Sequence, residues 1–293
     1  MASKMKKAAL TLALLSALAS SGSVFGTEVS TTPLGTGEVS VFTFDGGVKI
    51  HNFNTKDVME DNAFVVESKT GLVAVESLAF KKDFPFWGDY LKKLGKPLQA
   101  VLISNHPNNA AAWAGDAPVY VSEEAWKAMH SGSTKGIMTG LSKAYGPDFD
   151  TALPAAPKML SLGEHVFEGV RIDVRTDGDG NEFLFPDLKA AYIHMMGSEC
   201  HSIVGGAAHA DALIGQLEAL KKEGVTLLFT SHWQPEGVKA MDEKIAYLRA
   251  LKATAANARS KDEFIAAMKK AYPKYQGEHY LDMTAGFFFP MKK

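Results

Sequence analysis

Two stretches of this chain carry an apolar run straight into a histidine: Val101-Leu-Ile-Ser-Asn-His106 and Leu227-Leu-Phe-Thr-Ser-His232. A strand that is apolar without alternation has both faces covered, so the fold must bury these segments between other layers. A buried strand that stops on a histidine aims an imidazole, a base and metal ligand, into a cleft. Tyr192-Ile-His-Met-Met-Gly197-Ser198 is a third place of this kind, a strand running into a glycine turn.

The rest of the composition narrows the class. With 293 residues, 46% of them hydrophobic, the chain can build a full-sized core. The 31 basic residues against 33 acidic ones leave no basic face for nucleic acid. Cys200 is the single cysteine, so no intramolecular disulfide and no structural zinc cluster of cysteines can form. Any metal would have to be held mainly by histidine and carboxylates.

At the start, Lys4, Lys6 and Lys7 precede an uncharged apolar run from Ala8 to Ala19, too short for a permanent membrane anchor. This pattern predicts a secretory signal peptide cleaved after Ala17-Leu18-Ala19 or after Val24-Phe25-Gly26. The second point gives a leader of residues 1–26 and one mature domain of residues 27–293. Removing three lysines and no acids takes the formal charge from -2 to -5. A periplasmic or secreted protein without a membrane anchor is expected.

The mature chain reads as two rounds of the same strategy. Short strands are predicted at Val39 to Phe44, Val48 to Phe53, Ala63 to Glu67 and Leu72 to Glu76, with a turn at Asp45-Gly46-Gly47. A helix from Phe86 to Leu94, strands from Leu98 to Ser104 and Val119 to Val121, and a helix capped by Ser122 follow. The second round has strands at Val166 to Val174, Glu182 to Phe185 and Ala190 to Met195, a helix from Ala210 to Lys222, and a strand from Thr226 to Thr230. A helix marked by Met241, Ile245 and Leu248 comes next, then one capped by the Ser260/Glu263 box. Strands, helix, strands, helix, twice over, suit an α/β (α+β) class of two packed sheets with helices outside.

Several of these pieces, from about Asn62 to Leu251, resemble the metallo-β-lactamase superfamily. Asn62-Ala-Phe-Val-Val and Gly71-Leu-Val-Ala-Val-Glu76 look like its opening hairpin, whose second strand normally ends in aspartate where Glu76 stands. Leu98 to His106 looks like the strand leading to its T-H-x-H-x-D-H loop. Phe183 to Gly197 is similar to the strand pair ending in Gly-Asp, and Thr230-Ser-His232-Trp-Gln-Pro235 to the late G-H-x-x-P turn. The resemblance implies a four-layer αββα sandwich and metal-dependent hydrolysis.

The metal loop departs from that pattern. His106 matches its first histidine, but the second falls on Asn108, the aspartate on Ala110 and the third histidine on Ala111. The bridging aspartate falls on Ser198, and 176–181 holds no counterpart of the histidine expected before that strand. Only His106 and His232 match as ligands, and two imidazoles are too few for a catalytic zinc, which takes three protein ligands.

The sequence therefore predicts a fold that has lost the dinuclear zinc site, with no cofactor, binding a small molecule or a protein partner in the inherited cleft. Its pocket would be lined by His106, Asn108, Ser198, His232 and Trp233. The alternative is a rearranged mononuclear centre for one zinc, manganese or iron ion, held by His106, His232 and a group from Cys200 or His201. His194 reads as a core histidine satisfied by backbone. The Asp177-Gly-Asp179-Gly-Asn181 run lacks the glycine and glutamate of a calcium loop and reads as a hairpin turn. No nucleophile elbow or P-loop occurs. The closing Gly286-Phe-Phe-Phe-Pro290 cluster predicts a sheet-edge contact or a homodimer contact.

Overall fold

The computed structural model describes residues 20–24, 27–106, 110–176 and 180–290. Its first sheet has nine strands in chain order: β1 (Ser20–Val24), β2 (Thr27–Leu34), β3 (Gly37–Thr43), β4 (Lys49–Asn54), β5 (Asn62–Glu67), β6 (Leu72–Val75), β7 (Leu98–Leu102), β8 (Val119–Val121) and β9 (Lys158–Met159). The second has six: β10 (Gly163–Phe167), β11 (Val170–Thr176), β12 (Asn181–Phe185), β13 (Ala190–Met196), β14 (Leu227–His232) and β15 (Glu236–Gly237). β1 falls within the segment expected to be a leader; residues 1–19 and 25–26 of that segment lie outside the described residues.

Each sheet starts as an antiparallel meander and then turns parallel, at β6/β7 in one and β13/β14 in the other. A parallel step needs a crossover, and helices supply it: α1 (Phe84–Lys93) before β7 and α5 (Ala207–Lys222) before β14. Between β7 and β9 lie α2 (Ala111–Ala114), α3 (Glu123–Ser131) and α4 (Ser133–Tyr145). After β15 come α6 (Val238–Asn257), α7 (Lys261–Ala271) and α8 (Glu278–Phe288).

Strand periodicity divides the apolar residues among three cores. On β6 and β7, Val73, Val75, Ala100 and Leu102 face inward, onto Val174, Phe183, Tyr192 and Phe229 of the other sheet. Leu72, Ala74, Val101 and Ile103 face outward, under Trp87, Leu91, Trp113 and Met129 of the helices. On the far side Ala191, Ile193 and Leu228 pack beneath Leu217, Met241 and Leu248. This is the αββα sandwich. The apolar runs at Val101 and Leu227 are continuous because these strands serve two cores at once.

Three local expectations need revision. The stretch Val166 to Val174 is a hairpin, not one strand: Glu168 (φ 51°) and Gly169 (φ 76°) make a two-residue turn between β10 and β11. Helix α4 and strand β2 form where the sequence reading placed no element. The closing phenylalanines belong to α8 and its end, where Phe288 and Phe289 pack on Phe264. The Asp45 to Gly47 turn forms as expected, and Gly46 and Gly47 take φ of 78° and 82° there, which a side chain would resist.

Candidate metal centre

Three histidines converge at the carboxyl ends of the parallel strands, where open α/β sheets bind ligands. His106 follows β7, His194 lies in β13, and His232 ends β14. One ring nitrogen from each lies within 4.8 Å of the others, and His106 Nε2 and His194 Nε2 are 3.2 Å apart. His106 and His232 are buried, His194 half-buried.

The opposite ring nitrogens are held from behind by protein. His106 Nδ1 lies 3.3 Å from the Ser77 carbonyl and 3.4 Å from Asp61 Oδ1. His232 Nδ1 lies 3.1 Å from the Met59 carbonyl and 3.4 Å from the same Asp61 oxygen. With acceptors on that side, Nδ1 of both rings carries the proton and Nε2 presents its lone pair inward. Backing of this kind orients imidazole ligands and raises their basicity. Asp61 is fully buried, and its other oxygen accepts the Ala79 amide at 2.8 Å.

The electrostatics follow from this packing. Burial pushes the Asp61 carboxyl up to about 8, against the pull of His106. Burial alone would push His106 down, but the carboxylates of Asp61 and Glu76 outweigh it and hold the imidazole above its ordinary range. The two behave as one buried pair holding a proton. Burial and the neighbouring His106 charge push His194 down to about 3 and His232 well below the usual histidine range. Two neutral imidazoles thus face a third across a shared centre.

The backbone around the centre is fixed by buried polar side chains. Glu76, fully buried at the end of β6, accepts the successive amides of Ser104, Asn105 and His106 at 3.0–3.2 Å and the Tyr192 hydroxyl at 2.6 Å. The Asn62 amide donates to the Thr230 and Trp233 carbonyls, tying β5 to the end of β14. Asn181 donates to the Ile103 carbonyl and accepts Ser104 Oγ on its own carbonyl, tying β12 to the end of β7. A Cβ on Gly197 would sit 2.3 Å from the Gln234 carbonyl, so only glycine lets the turn after β13 approach the turn after β14. Glu60, Glu76 and Trp233 are left-handed non-glycine residues (φ 51°, 68° and 64°) flanking the centre, a strained conformation that clusters at functional sites.

Of the residues singled out from sequence, His106 and His232 are brought together. Trp233 is buried against Tyr280 next to His232. Ser198 and Cys200 line a separate small crevice with Lys244, Tyr247 and Tyr275. Cys200 is buried there, its thiol pushed up to about 12, and it donates to the His201 carbonyl. His201 Nδ1 faces the Tyr247 hydroxyl at 3.0 Å. Asn108 lies outside the described residues; Ala110 is buried and Ala111 opens α2.

His194, read from sequence as a core histidine, joins the cluster. The signal for it was parity: His194 is two residues beyond Tyr192, on the inward face of the same strand. Asp61 had no signal, because only folding places the residue before β5 beside the end of β14, where it forms a bridge with His232.

Imidazoles, with His106 giving up its extra proton on metal binding, suit zinc, iron, copper or nickel ions better than hard cations. Two nitrogens 2.0–2.1 Å from a tetrahedral ion stand about 3.3 Å apart, close to the 3.2 Å between His106 and His194. The donor set fits a single ion.

No protein-family model matches the sequence, and no curated protein sequence matches it. Solved structures do. A β-lactamase domain protein from Burkholderia ambifaria is similar with a TM-score of 0.58 at 15% identity, over 85% of this chain and 88% of that one. A metallo-β-lactamase family protein from Thermus thermophilus gives 0.57 at 16% identity, over 78% and 86%. The stereoselective inverting sec-alkylsulfatase Pisa1 from a Pseudomonas species gives 0.56 at 15% identity, over 82% of this chain; the match spans about half of that enzyme's length, 48%. The chain has the metallo-β-lactamase fold.

Proposed function

From a chain with this fold, we propose a metal-dependent hydrolase whose centre is mononuclear, with His106, His194 and His232 as ligands. The observation that carries this reading is the convergence of three ring nitrogens within 4.8 Å while two of the rings are backed by a buried carboxylate. In place of the ligand trio weighed from sequence, the third ligand is His194, while Cys200 lines the neighbouring crevice and His201 faces the Tyr247 hydroxyl. A bound divalent ion would supply Lewis acidity and lower the pKa of water held in its open position.

The chain's own residues do the rest. The Ser77 and Met59 carbonyls hold the Nδ1 protons of His106 and His232, with the Asp61 carboxylate charge behind both, so both rings offer Nε2. Glu76 holds the turn that carries His106, and Asn62 and Asn181 lock the two sheets together at this end. Half-buried His194 marks the side from which a substrate approaches.

Metal analysis of the purified protein tests the reading. Close to one equivalent of zinc, iron, copper or nickel is expected, lost in His106→Ala and in His194→Ala. A folded, metal-free wild type that takes up none of these ions would return the cleft to metal-free ligand binding. We further propose export, on the lysine-led apolar run at the N-terminus; none of the described helices is long and apolar enough to cross a membrane. N-terminal sequencing of the mature protein checks it: a start at Ser20 retains β1, a start at Thr27 removes it, and an unprocessed Met1 refutes export by this leader.

A further inference from the structure

Helix α6 sends one charged side chain into the interior. Lys244 is 5% exposed, and its ammonium donates to the Gly197 carbonyl at 2.7 Å. The same ammonium stands 2.8 Å from Oε1 of Glu236, a fully buried residue of β15. A buried ion pair is weak evidence for stability, because an apolar pair of similar volume is often as good or better. What the lysine's hydrogen bond fixes is therefore the more telling feature.

Gly197 is gripped at both ends. Its amide donates to the His232 carbonyl at 2.7 Å, and its carbonyl takes the Lys244 ammonium. It is the first residue beyond β13, the strand that carries His194, and that strand is irregular just before it. Ile193 pairs with Thr230 and Met196 with His232, so three steps along β13 oppose two along β14, and His194 and Met195 fall inside the bulge.

A bulge disrupts the ladder locally and bends its strand. Ladder bonds alone therefore do not set where His194 stands relative to His232, and other contacts must hold the bulged stretch. The Ser231 hydroxyl donates to the Met195 carbonyl at 3.0 Å, and the bond from Gly197 to His232 closes the far end. Lys244 reaches the same end from a third element. Its partner Glu236 is paired with Leu228 in the ladder of β15 and β14, so the carboxylate that anchors the ammonium belongs to the ribbon that carries His232.

We infer that Lys244 is a positioning residue for the three-histidine centre: by holding Gly197 against β15 it sets the spacing between His194 and His232. The inference rests on the reading of that centre as a metal site. Lys244 acts through the backbone, by way of the turn that follows one ligand and the ribbon that ends in another.

The test adds cobalt(II), a coloured substitute for zinc, to the protein freed of metal by chelation. Lys244→Met/Glu236→Leu removes both charges, so neither is left alone in the interior. Its metal-free Tm is expected at or above that of wild type. Cobalt should nevertheless bind about 10- to 100-fold more weakly, with its visible bands shifted in position and intensity. Glu236→Gln gives the opposite split: the ammonium still reaches Gly197, so the cobalt bands stay as in wild type while the Tm falls. Equal affinity and identical bands in the double variant overturn the inference and leave the metal reading standing. A metal-free Tm that falls in step with the affinity reduces Lys244 to packing and overturns the inference too. A wild type that takes up no cobalt overturns the metal reading and this inference with it. Should the double variant not fold, Lys244→Gln/Glu236→Gln, which sets two neutral amides in the same space, carries the same comparison.

Discussion

Asp61 shows how much one side chain can decide. A single buried oxygen lies 3.4 Å from Nδ1 of both His106 and His232, so one carboxylate charge backs two ligands whose Nδ1 protons the Ser77 and Met59 carbonyls accept. Asp61→Asn preserves the shape but removes the charge. The expected outcome is metal binding weaker by about 10- to 100-fold, measured by competition with a chromophoric chelator. The metal-free Tm should fall, because His106 loses the carboxylate it pairs with in the buried centre. Equal metal affinity in the variant would remove Asp61 from its assigned role.

His201 carries a pH prediction of its own. Burial pushes it down to about 4, so between pH 6.5 and about 4 the unfolded chain binds a proton that the folded chain refuses. Stability contributed by the neutral ring is complete above pH 6.5 and falls on acidification, by at most about 1.4 kcal/mol per pH unit. Urea melts of wild type and His201→Gln across that window should converge toward low pH, with the variant the flatter of the two. Parallel curves would show that His201 does not titrate this way. Legibility from sequence also divides at this scale: His106 and His232 stood out because each closes an apolar run, whereas His194 is embedded in one and differs from a core residue only by the face it shares with Tyr192.

Among the elements, the turn after β7 depends most on a distant partner. Residues 104–106 present three consecutive amides, and Glu76 accepts all of them. Glu76→Gln turns one acceptor oxygen into a donor facing these amides and the Tyr192 hydroxyl. A loss of about 2–4 kcal/mol is expected from the unmade charged hydrogen bonds, read from the urea midpoint, together with weaker metal uptake. A stability change under about 0.5 kcal/mol would mean that the turn holds itself. Long periodic elements such as β7, β14 and α5 were readable because propensity and burial pattern agree over many residues. The β10–β11 hairpin was not, because Glu168-Gly169 is a weak turn signal beside Asn-Gly. Helix α4 was not because Gly136 and Gly140 dilute its helical signal and Thr134 is the buried residue its side-chain pattern offers.

Across the whole molecule, one apolar layer joins the sheets, with Phe64, Phe183, Tyr192 and Phe229 at its centre. Both sheets place histidines at the same end of that layer, so the centre exists only while they remain packed. Phe229→Ala is expected to cost about 3–5 kcal/mol and to lower the Tm in one cooperative transition, with bound metal released in the same step. Separate transitions for the two halves in calorimetry would show that the sheets fold independently.

The sequence by itself determined the alternation of buried strands and covering helices, the two-sided burial of β7 and β14, and two histidines at strand ends. These follow from local periodicity, which the chain carries whatever its partners. The tertiary structure alone decided the third histidine and the carboxylate behind the pair. His194 reaches the centre through the pairing of β13 with β14, and Asp61 through its bridge to His232; such register is a property of packed sheets, not of either strand alone.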